Sequence, residues 1–216
     1  MIFKNLKKRI FTSVILFILF LLIFKSNLIL VYSLIILAVL SILEFLSLSK
    51  KILNNKISFI MLNLFFATYL LIFCLFFFYF VNIIQLKIML FILLLSCIAS
   101  DVGGFVFGNI FKGPKLTKIS PKKTISGSFG SIIFSNIFFS ISFFFFIGHL
   151  DYKIFFIATI NSIFCQLGDL LFSYFKRKAK IKDTGNFLPG HGGVLDRLDG
   201  ILIGLPAGFI FLILLY

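Results

Sequence analysis

Long apolar runs separated by short polar breaks extend over the chain of 216 residues. A helix needs about 20 apolar residues to cross a bilayer, and the pattern predicts seven such spans. We place them at about residues 9–25, 28–48, 57–81, 84–108, 127–147, 153–175 and 200–216. The sequence therefore predicts an all-α polytopic integral membrane protein.

The run from Ile57 to Ser100 is nearly unbroken, yet it must fold back on itself. At about 1.5 Å per residue a single helix of this length would measure about 65 Å, about twice the hydrocarbon thickness of a bilayer. Asn82, Gln85 and Lys87 are polar positions in this run. We expect the turn between the third and fourth spans there.

Positive charge is distributed unevenly over the connections between the spans. Lys25, Lys87 and Lys153 fall on one side of the membrane, and the other 18 of the 21 Lys and Arg residues fall on the opposite side. Because Lys and Arg concentrate in cytosolic loops, we expect a cytosolic N-terminus and an outer C-terminus. This rule explains the net charge of +14 without a nucleic-acid partner. Anionic lipid headgroups and phosphates are a second attraction for the same cations.

The N-terminal stretch resembles a signal peptide in its basic start and apolar run. Phe24 and Ser26 form a poor cleavage pair, however, and another apolar run starts at Leu28. We interpret the stretch as a retained first helix. Cys74, Cys97 and Cys165 all lie in apolar runs without a metal-binding or redox spacing, and we interpret them as small core residues.

Acidic residues are rare enough to be examined singly. The seven are Glu44, Asp101, Asp151, Asp169, Asp183, Asp196 and Asp199. Glu44 lies near a helix end and Asp151 in an outer loop, and we interpret both as structural. Asp101 and Asp169 each lie seven residues before the end of an inward-running span, which places both about 10 Å from the cytosolic edge. Carboxylates inside membrane spans are costly and are functional candidates by default.

The acidic residues on the cytosolic side predict a site for a hard cation. Magnesium is held by a few carboxylates together with substrate phosphates. Asp196 and Asp199 are three residues apart and share a face if they are helical. The alternative is simple ion pairing, as Asp183 could form with its neighbour Lys182, but Asp169 has no lysine within six residues on either side. The sequence favours a metal and leaves ion pairing open.

Two longer cytosolic loops, at about residues 109–126 and 176–199, provide candidate phosphate ligands. Ser120, Lys122 and Lys123 precede the fifth span, and glycines follow them. Lys binds phosphate through its charge, and glycine lets backbone N–H groups approach it. His191 lies among glycines, where it either contacts a phosphate or base or is simply solvated.

The stretch from Ser173 to Asp199, SYFKRKAKIKDTGNFLPGHGGVLDRLD, resembles the signature of the phosphatidate cytidylyltransferases, also called CDP-diacylglycerol synthases. Every fixed position of the pattern S-x-x-K-R-x4-K-D-x-G-x2-[LIF]-[PG]-x-H-G-G-x2-D-R-x-D is matched. Upstream, Asp101 and the segment ISPKKT at 119–124 also resemble the family. The family commonly continues Lys-Thr-Trp-Glu-Gly, whereas Ile125-Ser126 replaces Trp-Glu here.

The resemblance implies a reaction, a cofactor and a set of residues. Members of that family join CTP to phosphatidic acid, giving CDP-diacylglycerol and pyrophosphate, with Mg²⁺ and, as an open point, a second cation such as K⁺. Asp169 and Asp196 are the implied metal ligands. The implied catalytic residues are Ser173, Lys176, Arg177, Lys182, Asp183, His191, Arg197 and Asp199, and the implied substrate-binding residues are Ser120, Lys122, Lys123 and Asp101.

The resemblance covers about residues 100–216, so we expect a catalytic membrane region there and scaffold helices over residues 1–99. The chain is shorter than many members, from which we expect fewer N-terminal helices. The implied partners are CTP, phosphatidic acid and membrane lipids, at the cytosolic face of a bacterial inner membrane, and a homodimer is left open.

Two other functions remain as alternatives. A CTP-dependent lipid kinase would need the same site but would transfer the γ-phosphate. An ion-coupled transporter would also use intramembrane carboxylates, but such sites lie near the midplane and between inverted repeats. The sequence shows no repeat and its acidic residues lie toward one edge, which favours the transferase.

Overall fold

The chain forms seven α-helices over the ranges that the computed structural model describes, residues 2–187 and 192–216, with side chains from Thr12 onward. They are α1 (Ile2–Lys25), α2 (Asn27–Ile52), α3 (Lys56–Val81), α4 (Ile84–Phe111), α5 (Ile125–Ile147), α6 (Tyr152–Lys178) and α7 (Leu195–Leu215). An isolated antiparallel bridge joins Lys115 to Thr124 in the connection between α4 and α5. The predicted all-α class is confirmed.

Helices α2 to α7 are each long and apolar enough to cross a membrane. The part of α1 with described side chains, Thr12–Lys25, is a shorter apolar helix. The fold is therefore that of a polytopic membrane protein, while the count of seven spans and their orientation stay predictions. The last helix begins at Leu195 rather than near residue 200. Asp196 and Asp199 consequently lie in its first two turns, so the condition under which they share a face is met.

Side-chain hydrogen bonds and a glycine mark several helix ends, one of them in the predicted break at Asn82. Asn82 follows α3, and its side-chain amide donates to the Phe78 carbonyl at 2.9 Å. Thr124 precedes α5 and accepts a hydrogen bond from Gly127 N at 3.1 Å, which satisfies one of the free N–H groups of the first turn. Gly148 ends α5 with φ +86°, the left-handed conformation that favours glycine.

One of two compact units comprises Met1–Asn82 and Phe175–Leu198. In it, Phe45 of α2 stacks on Phe66 of α3 with ring centroids 4.0 Å apart. Phe175, near the end of α6, meets Phe45 edge-on at 6.0 Å. Ser49 donates to the Asn63 side chain at 3.0 Å. Aromatic packing and this hydrogen bond hold α2 against α3 and against the last turns of α6.

The other unit comprises Ile83–Tyr174 and Asp199–Tyr216, and its helices approach closely at glycines. A Cβ on Gly103 of α4 would lie 2.5 Å from the Gly130 carbonyl of α5, and one on Gly127 would lie 2.8 Å from the Gly104 carbonyl. Small residues let helix backbones meet in this way within membranes. The close crossing of α4 and α5 places Asp101, two residues before Gly103, beside α5.

Buried polar side chains in this unit bond to one another between helices. Ser96 and Ser135 lie 2.7 Å apart, and Ser100 and Ser162 lie 2.8 Å apart. Asn161, with no exposed surface, donates to the Leu93 carbonyl at 3.2 Å. These pairs join α4, α5 and α6 through hydrogen bonds as well as packing. The compact units do not follow the division predicted at residues 99 and 100, which concerns function and stays a prediction.

The predicted orientation can be checked on the two ends of α5. Lys118 lies in the connection before it and His149 in the connection after it, and both are exposed. We expect cysteines introduced as Lys118→Cys and His149→Cys to react with a membrane-impermeant maleimide from opposite sides of inverted and right-side-out vesicles. Labelling of both from one side would contradict the assigned topology. The chain without either substitution is the control for its own three cysteines.

Candidate active site

A cavity of about 340 Å³ in the unit that contains α4 and α5 brings five predicted site residues together. They are Asp101, Ser120, Lys122, Lys123 and Asp169. Helix α4 supplies Asp101, α6 supplies Asp169, and the connection between α4 and α5 supplies the serine and both lysines. The volume falls within the range of about 300–1,000 Å³ that is usual for small-molecule sites.

The connection between α4 and α5 contains backbone hydrogen bonds and brings Lys122 and Lys123 to the cavity. Lys123 N donates to the Ser120 carbonyl at 3.0 Å, and Leu116 N donates to the Lys123 carbonyl at 2.8 Å. Lys122 remains exposed, whereas Lys123 is half-buried. Thr124 and Gly127 also line the cavity. The first turn of α5, whose N–H groups favour anions, therefore forms part of the wall.

Asp169 forms an ion pair with Lys123. The sequence showed no lysine near Asp169, and the fold supplies one that lies 46 residues earlier in the chain. The two side chains are 26% and 30% exposed, so water screens their attraction and a partner can replace it; partly exposed pairs of this kind contribute at most about 1 kcal/mol. The pair uses the Oδ2 atom of Asp169.

The cavity can hold a magnesium ion in chemical terms. Among the described residues, no group of three or more His, Cys, Asp or Glu side chains could hold a metal ion without other ligands. Magnesium, however, is commonly bound through one or two carboxylates plus substrate phosphates and water. Asp101 and Asp169 line the same cavity, beside the hydroxyl groups of Ser120 and Thr124. These oxygen donors fit the ion, and its presence stays a prediction.

The compact unit that contains α2 and α3 holds a second charged cluster around Asp196. Lys176 donates to Asp196 Oδ1 at 2.8 Å. The backbone N–H groups of Thr184 and Gly193 donate to Oδ2 at 2.8 and 3.1 Å. The lysine and aspartate side chains are only 12% and 8% exposed. Asp196 thus links the end of α6 and Thr184 to the start of α7, and its predicted role as a metal ligand stays a prediction.

Glu44 is part of this cluster, which the sequence did not indicate. Its carboxylate, 2% exposed on α2, accepts hydrogen bonds from Val194 N and Leu195 N, both at 2.9 Å, and from the Thr184 hydroxyl at 2.8 Å. Its position near a helix end suggested only a structural acid. One feature of the sequence could have indicated a specific role for Glu44. It is the sole acidic residue before Asp101, and it lies in an apolar helix where a carboxylate is costly.

Two glycines of the signature stretch make room for this carboxylate. A Cβ on Gly193 would lie 2.5 Å from Glu44 Oε2, and one on Gly185 would lie 2.8 Å from Glu44 Cδ. Gly192 has φ +86°, a conformation that side chains rarely adopt. These three glycines therefore serve the packing and backbone geometry of the connection itself.

The other predicted catalytic residues are spread over α6, α7 and the connection between them. Arg177, Lys182, Asp183 and Arg197 are exposed. Ser173 is half-buried on α6, and Asp199 is half-buried on α7, where Oδ1 accepts from Gly200 N at 3.0 Å. His191 lies outside the described residues. The catalytic roles of these residues stay predictions.

Ile125 and Ser126, the departure from the family pattern, are the first two residues of α5. Ile125 is 40% exposed. Ser126 Oγ lies 3.1 Å from Thr124 Oγ1, and neither Ile125 nor Ser126 belongs to the residues that line the cavity. The substitutions thus lie next to the wall rather than in it.

The fit of Glu44 among the glycines predicts that Gly193→Ala destabilises the protein. The added methyl group would collide with Glu44 and Thr184, and such overpacking costs about 1–3 kcal/mol. We expect a clear drop in the melting temperature of the purified protein in detergent. Gly113→Ala is the matched control, because a Cβ there meets Ser126 Oγ at 3.3 Å and no atom closer. An equal effect of both substitutions would contradict the packing argument.

Comparison with known proteins identifies the family. The profile of the cytidylyltransferase family matches residues 4–215. A phosphatidate cytidylyltransferase of Staphylococcus haemolyticus is 45% identical over 116 residues, covering 53% of this chain and 45% of the relative. One of Mycobacterium bovis is 41% identical over 126 residues, covering 58% of this chain and 41% of the relative.

A phosphatidate cytidylyltransferase of Rickettsia felis is 40% identical over 133 residues, covering 57% of this chain and 59% of the relative. The chain thus matches about half the length of these relatives. Because the family profile spans nearly all of the chain, however, the assignment does not depend on the signature stretch alone. The chain belongs to the cytidylyltransferase family.

Proposed function

We propose that the protein transfers CMP from CTP to phosphatidic acid, forming CDP-diacylglycerol and releasing pyrophosphate. The observation that carries the proposal is the cavity in which two lysines, two aspartates and the first turn of α5 meet, in a chain of this family. The relatives named phosphatidate cytidylyltransferase support the choice of substrate.

The charges in the cavity suit this chemistry. A phosphate oxygen of phosphatidate attacks the α-phosphorus of CTP, and the bond from that phosphorus to the oxygen bridging to the β-phosphate breaks. Both reactants are anionic, so the site must compensate negative charge while it aligns them. Lys122, Lys123 and the N–H groups at the start of α5 provide positive charge on one wall.

In the absence of a substrate, the ion pair between Lys123 and Asp169 neutralises one positive and one negative charge in the cavity. Because both side chains are partly exposed, a substrate phosphate can take the ammonium group of Lys123 without a large loss of stability. Asp169, released from Lys123, would then hold magnesium together with Asp101, and the ion when bound supplies further charge compensation for the phosphates. Asp196 as a ligand, and a second cation such as K⁺, belong to the same proposal.

The location follows from the substrates. CTP is dissolved in the cytosol, and phosphatidate lies in the bilayer with its headgroup at the surface. We therefore propose a site at the cytosolic edge of the bacterial inner membrane. The lysines of the connection between α4 and α5 are in keeping with this location. Assembly as a homodimer stays an untested prediction.

Product analysis tests the proposal. Purified protein in detergent receives labelled CTP and phosphatidate, with magnesium or with a chelator, and we expect CDP-diacylglycerol and pyrophosphate only with magnesium. A phosphorylated lipid together with CDP would instead identify a CTP-dependent lipid kinase.

We expect Asp169→Asn to lower kcat/KM at least about tenfold, about 1.4 kcal/mol of transition-state stabilisation, with little change in melting temperature. Asp151→Asn, in the connection before α6, is the matched control and should keep full activity.

The departure at Ser126 provides a separate prediction. Because Ser126 does not line the cavity, we expect Ser126→Glu, which restores the acidic residue common in the family, to leave kcat unchanged or to lower it. Steady-state kinetics with Ser126→Gln as the uncharged control measures the effect. A several-fold rise in kcat with Glu but not with Gln would mean that this chain lacks a catalytic carboxylate.

A further inference from the structure

We infer that Glu44 is a positioning residue for the proposed reaction. It binds the backbone at the start of α7 and the side chain of Thr184, and N–H groups of these same two segments hold Asp196. The inference rests on the proposed function for its catalytic half. Its structural half concerns residues within one compact unit, Met1–Asn82 and Phe175–Leu198, and can be tested without any substrate.

The carboxylate of Glu44 is matched by donors on both of its oxygens. Val194 N donates to Oε1, and Leu195 N and the Thr184 hydroxyl donate to Oε2. Leu195 is the first residue of α7, so both backbone donors belong to the free N–H groups that precede and begin this helix. A side chain on α2 thus caps the start of α7 from a position 150 residues earlier in the chain.

Glu44 and Asp196 bind alternating groups of the same backbone. Gly193 N donates to Asp196, whereas Val194 N and Leu195 N donate to Glu44. Thr184 joins the two acids directly, since its N–H donates to Asp196 and its hydroxyl donates to Glu44. If the backbone N–H groups that Glu44 binds are displaced, the adjacent N–H groups that donate to Asp196 must move as well. The geometry of the ion pair between Asp196 and Lys176 then changes.

Glutamine cannot replace Glu44 at this place. Its amide offers one acceptor oxygen where Glu44 uses two, and its NH₂ group would face an N–H or O–H donor. A buried donor left without an acceptor is costly. Glu44→Gln therefore removes the anchor while it preserves the length and shape of the side chain.

Limited trypsin digestion of the full chain in detergent measures the anchor. Lys180 and Lys182 are exposed in the connection after α6, and Lys115 and Lys118 are exposed in the connection after α4. We expect Glu44→Gln to speed cleavage at the first pair at least about tenfold relative to the second pair, since local opening precedes cleavage. Equal acceleration at both pairs would indicate general destabilisation and would overturn the inference.

Kinetics of the same preparations test the catalytic half. Because Glu44 acts through Asp196, we expect kcat to fall at least about tenfold while the KM for CTP changes less than about threefold. Ser41→Ala is the matched control: Ser41 is also fully buried on α2, and its hydroxyl has no partner among the described residues. We expect wild-type cleavage and kinetics for it. A kcat above a third of the wild-type value in Glu44→Gln would overturn the positioning role.

Thr184→Val is the second variant, for the case that Glu44→Gln does not fold. It removes one of the three donors at nearly constant volume, and we expect smaller changes in the same direction in both assays. Wild-type behaviour in both would overturn the inference. A wild-type chain that forms no CDP-diacylglycerol would refute the proposed function and the catalytic half together, whereas the digestion result would still decide whether Glu44 holds the connection.

Discussion

A polar group removed from water must find its partner inside the protein, and this constraint shapes both compact units. Helices satisfy their own backbone groups, which makes them the natural way for so apolar a chain to cross a bilayer. The buried serines on α4 pair with serines on α5 and α6. The carboxylate of Glu44 on α2 is almost fully buried, and three hydrogen-bond donors compensate for its loss of contact with water.

The two charged clusters meet this constraint in different ways. Asp196 uses both oxygens, and its side chain and that of its partner Lys176 are both nearly buried, so breaking their pair is expected to be costly. Asp169 uses one oxygen, and the side chain of its lysine partner is 26% exposed. The cluster around Asp196 is suited to holding the backbone in place, and the pair of Asp169 with Lys123 is suited to exchanging partners with a ligand.

Glycine has several distinct uses in this chain. On α4 and α5, glycines bring two helix backbones together. In the connection between α6 and α7, they admit the carboxylate of Glu44 or adopt a left-handed backbone. The sequence suggested that glycines near the lysines let backbone approach phosphate, and Gly127 does line the cavity. Gly185, Gly192 and Gly193 of the signature stretch have a more local role, because they lie against the acidic side chains of Glu44 and Asp196.

The sequence by itself determined the class of the fold, the approximate positions of the helices, and the family. Hydrophobic runs and polar breaks are local properties, and a bilayer allows few backbone structures, so these features could be predicted without tertiary contacts. The signature stretch is likewise contiguous. Only the tertiary structure decided which charges meet: that Asp169 pairs with Lys123, that Asp196 pairs with Lys176, and that Glu44 caps α7. These partners lie 20 to 151 residues apart in the chain, and no periodicity connects them. Their pairing depends on how helices pack, and packing depends on the whole set of side-chain shapes at once.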